Sequence, residues 1–369
     1  MGIRKLNKFL ILRESITSYR NIPDFVNKLK STDPNNTNNA SNKKIIIAID
    51  FWLYVHKYLH SCRSSNVMLG FWNQIMKFFS CGVIPLYVMD GTVPLEKQEK
   101  SEERAKKRVV CKKRIEELKS QIEEYVNLND LNDLNDSQEL NALESKKERL
   151  QKRIKKIKVN DLYNIYKMFD VLSVPYVRAE YEADALCAKL FKENIITACM
   201  SDDMDMLALG CRSTIKFHEG KLIEFDLLKI KHDLEFDQEQ FIDMCIMFGC
   251  DYLQHPFRLN CNDVYEMIKK HGTLLDALFS NEHEIFNMNN NNVNVIGEHY
   301  YRVKDIYMHG HKNETIPHDL YDFKMNHIIL NDLLAFIKKC KLFELNSTNL
   351  HTLETNINHV NQLIYDDIM

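Results

Sequence analysis

Apolar and polar positions divide this chain into short continuous apolar runs and longer helical stripes. Lys43–Asp50 reads KKIIIAID and Val83–Met89 reads VIPLYVM. Runs of this length without alternation predict strands buried on both faces. The first ends on Asp50 and the second runs into Asp90-Gly91. A strand-like Val174–Val177 precedes a helix predicted over Glu180–Lys192, and a buried strand over Ile195–Met200 opens into the loop Ser201–Asp205. Helical stripes cover Phe51–His60, Leu162–Leu172 and Val264–His271. Another covers Phe241–Phe248, entered through a capping box at Asp237–Gln240 and stopped by Gly249. Strands alternating with helices predict an α/β fold with a mostly parallel central sheet flanked by helices. Ile3–Leu12 is a short apolar opening, the polar stretch after it ends in an asparagine tract read as a solvated loop, and the tail from Ile328 to Ile364 alternates helical stretches with Asn-rich connections. No chemistry is expected of that tail.

Residues 95–160 break the pattern. From Arg104 to Arg114 seven of eleven residues are Lys or Arg with no acid, and Lys152–Lys158 has five of seven. Between them lie three tandem Leu-Asn-Asp triplets, Leu128–Asp136. Apolar residues keep helical spacing on either side (Ile115, Leu118 and Ile122; Leu150, Ile154 and Ile157), so the segment predicts two antiparallel helices whose tip is the triplet loop and whose base is basic. A solvated arm with no ligand would show the same charge runs.

Composition narrows the class. A formal charge of −3 over 369 residues gives no global basic bias, so only local charge can point to a polyanion. The ten cysteines contain no C-x-x-C pair, which argues against a zinc ribbon and for reduced thiols in a cytosolic or nuclear compartment. No signal peptide or membrane-length apolar run is expected, and Leu6 stands where a myristoylation signal needs Ser or Thr. His56 and His60 have the i, i+4 spacing of a zinc-protease helix, but Lys57 occupies the place of its Glu.

The candidate chemistry lies in acids. Glu182 and Asp184 open one predicted helix, and Asp203 and Asp205 follow one predicted strand. Either pair alone could be a helix cap or a turn. Asp50 and Asp90 stand at two further strand ends, and Asp251 lies just past Gly249. In open α/β sheets the ligand crevice lies outside the carboxyl ends of the strands, so these acids converge on one edge. Crowded carboxylates stay ionised only with positive charge among them; hard divalent cations take oxygen ligands, and two of them about 4 Å apart can clamp the attacking and leaving oxygens of a phosphodiester. Lys97 and Arg104, seven residues apart, share a helix face at the base of the basic arm.

In Met1-Gly2-Ile3, IIIAID, PLYVMDG, VPYVRAEYEADALCA, SDDMDMLALG and FIDMCIMFGCDYL, in that order, the chain resembles the flap endonuclease and xeroderma-pigmentosum group G (XPG) family of structure-specific 5′ nucleases. The resemblance implies a PIN-like 5′-nuclease fold over residues 1–275. A helical arch would be inserted at about 95–160, a degenerate helix-hairpin-helix region would lie at about 236–275, and 276–369 would be a helical extension. It implies Mg²⁺ as cofactor, two ions with Mn²⁺ able to substitute, held by Asp50, Asp90, Glu182, Asp184, Asp203, Asp205 and Asp251. Lys97 and Arg104 would help the scissile phosphate reach the metals. Gly2, Arg104, Lys106, Lys107, Arg108, Lys152 and Arg153 would contact DNA bearing a 5′ flap or junction, in replication, repair or recombination, in the nucleus, the cytoplasm or a viral replication site.

The chain departs from the family at Asp184, where Glu is usual, and at Arg258-Leu259-Asn260, where a Gly-x-Gly hairpin grips duplex backbone. The family's stacking tyrosine falls on His56, with Tyr54 the nearby aromatic, and no sliding-clamp peptide is recognised near the tail. Two other readings compete: an RNA-degrading nuclease of the same fold, and a nucleic-acid-binding scaffold with little catalysis. The full acid set argues against the scaffold, which has no reason to bear that repulsion.

Overall fold

The computed structural model describes residues 2–3, 5–31, 44–60, 66–94, 97–128, 134–253, 259–279, 290–321, 325–343 and 347–365. Among them the chain forms α1 (Leu6–Leu12), β1 (Thr17–Tyr19), α2 (Ile22–Ser31), β2 (Ile45–Asp50), α3 (Phe51–His60), α4 (Val67–Phe79) and β3 (Val83–Met89). The arm follows as α5 (Gln98–Leu128) and α6 (Leu134–Ile154), then α7 (Val159–Val171), β4 (Tyr176–Arg178), α8 (Ala183–Lys192), β5 (Ala198–Met200) and α9 (Asp205–Ala208). A hairpin of β6 (Ser213–His218) and β7 (Lys221–Asp226) leads into α10 (Leu227–Leu234), α11 (Gln238–Phe248), α12 (Cys261–His271) and α13 (Leu274–Phe279). The tail supplies α14 (Asn290–His309), α15 (Leu330–Cys340) and α16 (Ser347–Tyr365), with short 3₁₀ turns between the first two.

The sheet runs β1-β7-β6-β5-β2-β3-β4. β2 pairs in parallel with both β3 and β5, β4 adds in parallel to β3, and β6 adds in parallel to β5. β7 and β1 are antiparallel, so the sheet is mixed at one edge and mostly parallel elsewhere. From β2 the chain builds outward through β3 and β4, then returns to the other side of β2 to start β5. That reversal is the topological switch point, where such sheets open a crevice at the strands' carboxyl ends.

The all-apolar reading of β2 is physically correct because both faces are covered. Ile45, Ile47 and Ile49 join one cluster with α3, α4 and α7, and Ile46 and Ala48 join another with Leu186, Cys187 and Leu190 of α8. Tyr87 of β3 stacks on Phe169 of α7 at 4.5 Å and donates its hydroxyl to Gln74 at 3.0 Å, so this buried ring keeps its polar end satisfied. A third cluster joins Ile3, Leu6, Phe9 and Leu10 to α11, α12 and α14, with Phe9 edge-on to Phe248 at 5.2 Å.

Several elements lie outside the apolar pattern. α2 and β1 occur where a polar stretch was expected, because the half-buried Tyr19 hydroxyl and Lys28 both reach the buried Glu224 of β7. The hairpin β6–β7 turns at Glu219-Gly220. α4 is apolar on most of its surface because α16 covers the side turned from α3 and the sheet. Helix α8 starts at Ala183 rather than Glu180, leaving 180–182 extended. The predicted arm is present as α5 packed on α6, although 129–133 of its triplet tip lie outside the described residues. Residues after 275 contribute to all three of these clusters, including Tyr300, Tyr307, Ile316, Leu320, Leu333, Ile337 and Ile357.

One buried ion pair fastens α14 to α11. Asp243 is fully buried and accepts hydrogen bonds from the Tyr300 hydroxyl at 2.7 Å, the Leu274 amide at 3.1 Å and Lys304 Nζ at 3.1 Å. Truncating Asp243 strands the Tyr300 hydroxyl and the Leu274 amide and leaves Lys304 only the exposed Glu239 at 3.1 Å, so Asp243→Ala is expected to lower the unfolding free energy by about 3–5 kcal/mol, checked by urea denaturation. A loss below about 1 kcal/mol, the range of exposed pairs, would show that the network does not hold the helices together.

Candidate active site

Each acid reaches the crevice by a different local device. Asp50 is the last residue of β2, and its Oδ1 accepts the Leu53 amide at 3.0 Å, capping α3. Asp90 follows β3 and accepts the Ala183 amide at 3.0 Å. Gly91, next to it, lies so close to the backbone of Ala179 and Glu180 that a Cβ would overlap both. Asp203 hangs in the loop after β5, its amide donating to Ser201 Oγ at 3.0 Å and its Oδ1 accepting the Asp205 amide at 3.1 Å. Asp251 is set by the end of α11, where Gly249 takes a φ of 88° that turns the chain back toward the sheet.

Asp50, Asp90, Glu182, Asp184, Asp203 and Asp251 line one cleft of about 230 Å³ together with Lys97, Arg104 and His56. Asp205 lies deeper, 1% exposed, with Oδ1 accepting the Tyr307 hydroxyl at 3.2 Å. Lys97 Nζ contacts Glu182 Oε1 at 2.5 Å and stands 4.7 Å over the Tyr252 ring, while the Tyr252 hydroxyl donates to the other Glu182 oxygen. Arg104 reaches Asp251 at 3.3 Å. Gly2 is buried against this cluster, where a Cβ would overlap Asp203 Oδ1. Asp202, immediately before the two loop acids, pairs instead with Lys57 at 2.7 Å. Lys106, Lys107, Arg108, Lys152 and Arg153 are exposed on the arm and lie outside the cleft lining.

The electrostatics follow from burial. Desolvation raises the Asp50 carboxyl to about 7, with Asp90 and Asp203 adding repulsion. It also raises Asp90, Asp184, Asp203 and Asp205, and repulsion from neighbouring acids adds to each. Burial acts to lower the Lys97 ammonium, but Glu182, Asp205 and Asp184 outweigh it and raise it. Among the described residues no three His, Cys, Asp or Glu side chains form a closed metal cage. The acids surround an open cleft, and Lys97 neutralises part of their charge. A divalent ion nevertheless suits the donor set: these are hard oxygen ligands, and two buried oxygens, Asp184 Oδ1 and Asp205 Oδ2, lack a hydrogen-bond partner.

Three contributors have no role in the sequence reading. Tyr252 lies inside the FGCDYL stretch and was within reach of a motif argument. Tyr307 and Glu314 lie between Val264–His271 and the Ile328–Ile364 tail, in a stretch to which the sequence pattern assigned no function. Glu314, 2% exposed, accepts from the amides of Glu180, Tyr181 and Glu182 at 2.7, 3.1 and 3.0 Å. Partners more than a hundred positions away leave no local signal. Of the two aromatics considered for stacking, Tyr54 is buried at 5% exposure, whereas His56 is exposed at the cleft. Arg258 of the altered hairpin lies outside the described residues.

A sequence model of the XPG N-terminal domain matches residues 1–110, and one of the XPG I-region matches 173–251. The chain belongs to the flap endonuclease and XPG family. Among curated members, flap endonuclease 1 of Enterocytozoon bieneusi (strain H348) is 27% identical over 245 residues, covering 62% of this chain and 63% of that protein. Flap endonuclease 1-A of Sorghum bicolor is 28% identical over 215 residues, 57% of this chain and 51% of that protein. The match thus spans half to two thirds of these XPG-family relatives. Among solved structures, the catalytic core of Rad2 in complex with DNA substrate (complex II) is similar with a TM-score of 0.59 at 19% identity, covering 92% of this chain and 95% of that one. Flap endonuclease-1 from Methanococcus jannaschii gives 0.55 at 16%, covering 88% and 94%. At such identities the likeness to these XPG-family structures is one of fold.

The raised carboxyls make a prediction for the metal-free protein. They hold protons more tightly folded than unfolded, so their contribution to stability is full below about pH 4 and is lost as pH rises, for Asp50 through about 7. In EDTA, Asp184→Asn removes a buried charge that its neighbours repel, and is expected to raise the melting temperature at pH 8 and flatten its decline from pH 5 to 8. A melting temperature at pH 8 below that of the unmutated chain counts against repulsion as the dominant strain.

Proposed function

We propose that this chain is a metal-dependent, structure-specific 5′ nuclease that hydrolyses phosphodiester bonds in branched DNA, cutting at 5′ flaps or junctions, at an intracellular site of replication, repair or recombination. The observation that carries the reading is the convergence of the acids with Lys97 and Arg104 in one cleft at the sheet's switch point, under the base of the basic arm. Family membership adds support. So does the fold shared with the Rad2 catalytic core, a protein solved in complex with DNA substrate. Among the described residues no helix is long and apolar enough to cross a membrane.

Asp50, Asp90, Glu182, Asp184, Asp203, Asp205 and Asp251 are the residues that would hold two divalent ions, Mg²⁺ with Mn²⁺ able to substitute. When bound, such ions supply an activated water and neutralise charge on the scissile phosphate. The chain's own groups do the rest. Lys97, pinned between Glu182 and the Tyr252 ring, presents an ammonium that stays charged and can move from carboxylate to phosphate without leaving the cleft. Arg104 is half exposed and can swing from Asp251 to an incoming strand. The exposed Lys106, Lys107 and Arg108 extend that positive track up α5, and Lys152 and Arg153 provide a second on α6. Neutralising phosphates in this way makes binding steeply salt-dependent.

Asp203→Asn is expected to abolish Mg²⁺-dependent cutting of a labelled 5′-flap duplex while leaving flap binding intact. Lys97→Ala is expected to slow turnover by about 10²–10³-fold, as for loss of a transition-state charge partner. A panel of 5′ flap, nicked duplex, hairpin and single-stranded RNA, with Mg²⁺ or EDTA, checks both. Cutting retained by Asp203→Asn overturns the assignment, faster cutting of RNA moves the substrate to RNA, and tight flap binding with no product establishes the scaffold.

A further inference from the structure

The extended segment 180–182 carries Glu182 into the cleft and is gripped from two sides. Its carbonyls face β3: Gly91 N donates to Tyr181 O and Thr92 N to Glu180 O, both at 2.8 Å. Its amides face the tail, where Glu314 Oε2 accepts Glu180 N and Oε1 accepts both Tyr181 N and Glu182 N. The next amide, Ala183 N, goes to Asp90 Oδ1. Four successive amides at the start of α8 thus end on carboxylates, three of them on a residue more than 130 positions away. Glu182 is the N-cap of α8 but makes no side-chain cap. Its carboxylate is therefore left for Lys97 and Tyr252, while Glu314 takes the amides that lead up to the helix, Glu180, Tyr181 and Glu182.

Glu314 is itself held. Its carbonyl accepts Lys189 Nζ of α8 at 2.6 Å, and Ile316 and Leu320 just after it are buried beside Leu186 and Leu190. The helix end favours the negative charge there as well. Neither matched family region includes residue 314.

We propose that Glu314 is a positioning residue for the nuclease centre: its carboxylate fixes the backbone of 180–182 and thereby aims the Glu182 carboxylate and its partner Lys97 into the cleft. The inference rests on the nuclease reading above. An outer partner of this kind changes metal affinity by about 10–100-fold when lost, without touching the metal.

The test compares the full chain with Glu314→Ala, Glu314→Gln and, as a control for loss of stability alone, Asp243→Asn. Amide hydrogen exchange of a peptide covering 180–186 should speed up in Glu314→Ala and less in Glu314→Gln, which keeps one acceptor oxygen. Mn²⁺ affinity, read by electron paramagnetic resonance, should weaken by about 10–100-fold in Glu314→Ala, and the Mg²⁺ concentration for half-maximal cutting should rise in step. Flap binding in EDTA should hold. Asp243→Asn should lower the melting temperature yet leave exchange at 180–186 and Mn²⁺ affinity as in the unmutated chain. If Glu314→Ala melts early but binds Mn²⁺ and responds to Mg²⁺ like the unmutated chain, Glu314 is a helix cap only and the proposal falls. Should Glu314→Ala fail to fold, unchanged Mn²⁺ affinity in Glu314→Gln decides against it in the same way. An unmutated chain that neither binds Mn²⁺ nor cuts any substrate overturns the nuclease reading itself, a result separate from any difference between variants.

Discussion

Mutual repulsion among buried carboxylates is the constraint around which this structure is arranged. Asp184, Asp203 and Asp205 are pushed above the ordinary carboxylate range, first by burial and then by one another. A fold tolerates this only where hydrogen-bond donors or cations hold the charges in place. Here the donors are backbone amides: Leu53 for Asp50, Ala183 for Asp90 and Asp205 for Asp203. The cations are Lys97 and Arg104, both from the base of the arm. The arm therefore stabilises the site before any ligand arrives, and the site in turn anchors the arm. That mutual dependence is why Lys97, Ser101 and Arg104 line the cleft although the helix beyond them projects into solvent.

Parallel pairing makes the convergence possible. β2 registers with β3 and β5 so that Asp50, Asp90 and the loop after Met200 emerge at the same edge. This part was legible in the chain because a parallel strand buried on both faces has no alternation to confuse it with anything else of its length, and because each such run ends on an acid. The hairpin β6–β7 was not legible: Lys216 and Glu224 interrupt its apolar face, Glu224 buried with the distant Tyr19 and Lys28 and Lys216 over the Phe225 ring of the facing strand. Helix α4 was hidden for the opposite reason, since VMLGFWNQIMKFF is apolar nearly all round and periodicity cannot separate a buried helix from a buried strand.

The arm shows how global charge misleads. At a formal charge of −3 the whole chain gives no sign of a polyanion partner, yet the residues from 101 to 110 are all exposed and four of the ten are Lys or Arg. Among the described residues of α5 only Ile115 and Leu118 are buried, so this long helix draws little stability from packing and depends on α6 and on its basal ion pairs for its direction. Such an element is well suited to present charge and poorly suited to carry core.

The tail completes the site from a distance. Tyr307 donates to Asp205, Glu314 accepts the amides leading into Glu182, and Tyr252 joins Lys97 at the same carboxylate. None of these three is itself a proposed metal ligand, and all three lie beyond the stretches that match the family, Tyr252 immediately after the second. Carboxylates can be recognised in a sequence because their chemistry is local to the side chain. The groups that orient them cannot, because any donor or acceptor brought to the right place by packing will serve. The packing that brings them here is built largely of ordinary apolar contacts, Ile316 and Leu320 against α8 and Tyr300 and Val303 against α11. The precision of the carboxylate edge thus depends on a helical extension whose own residues read, one at a time, as structural filler.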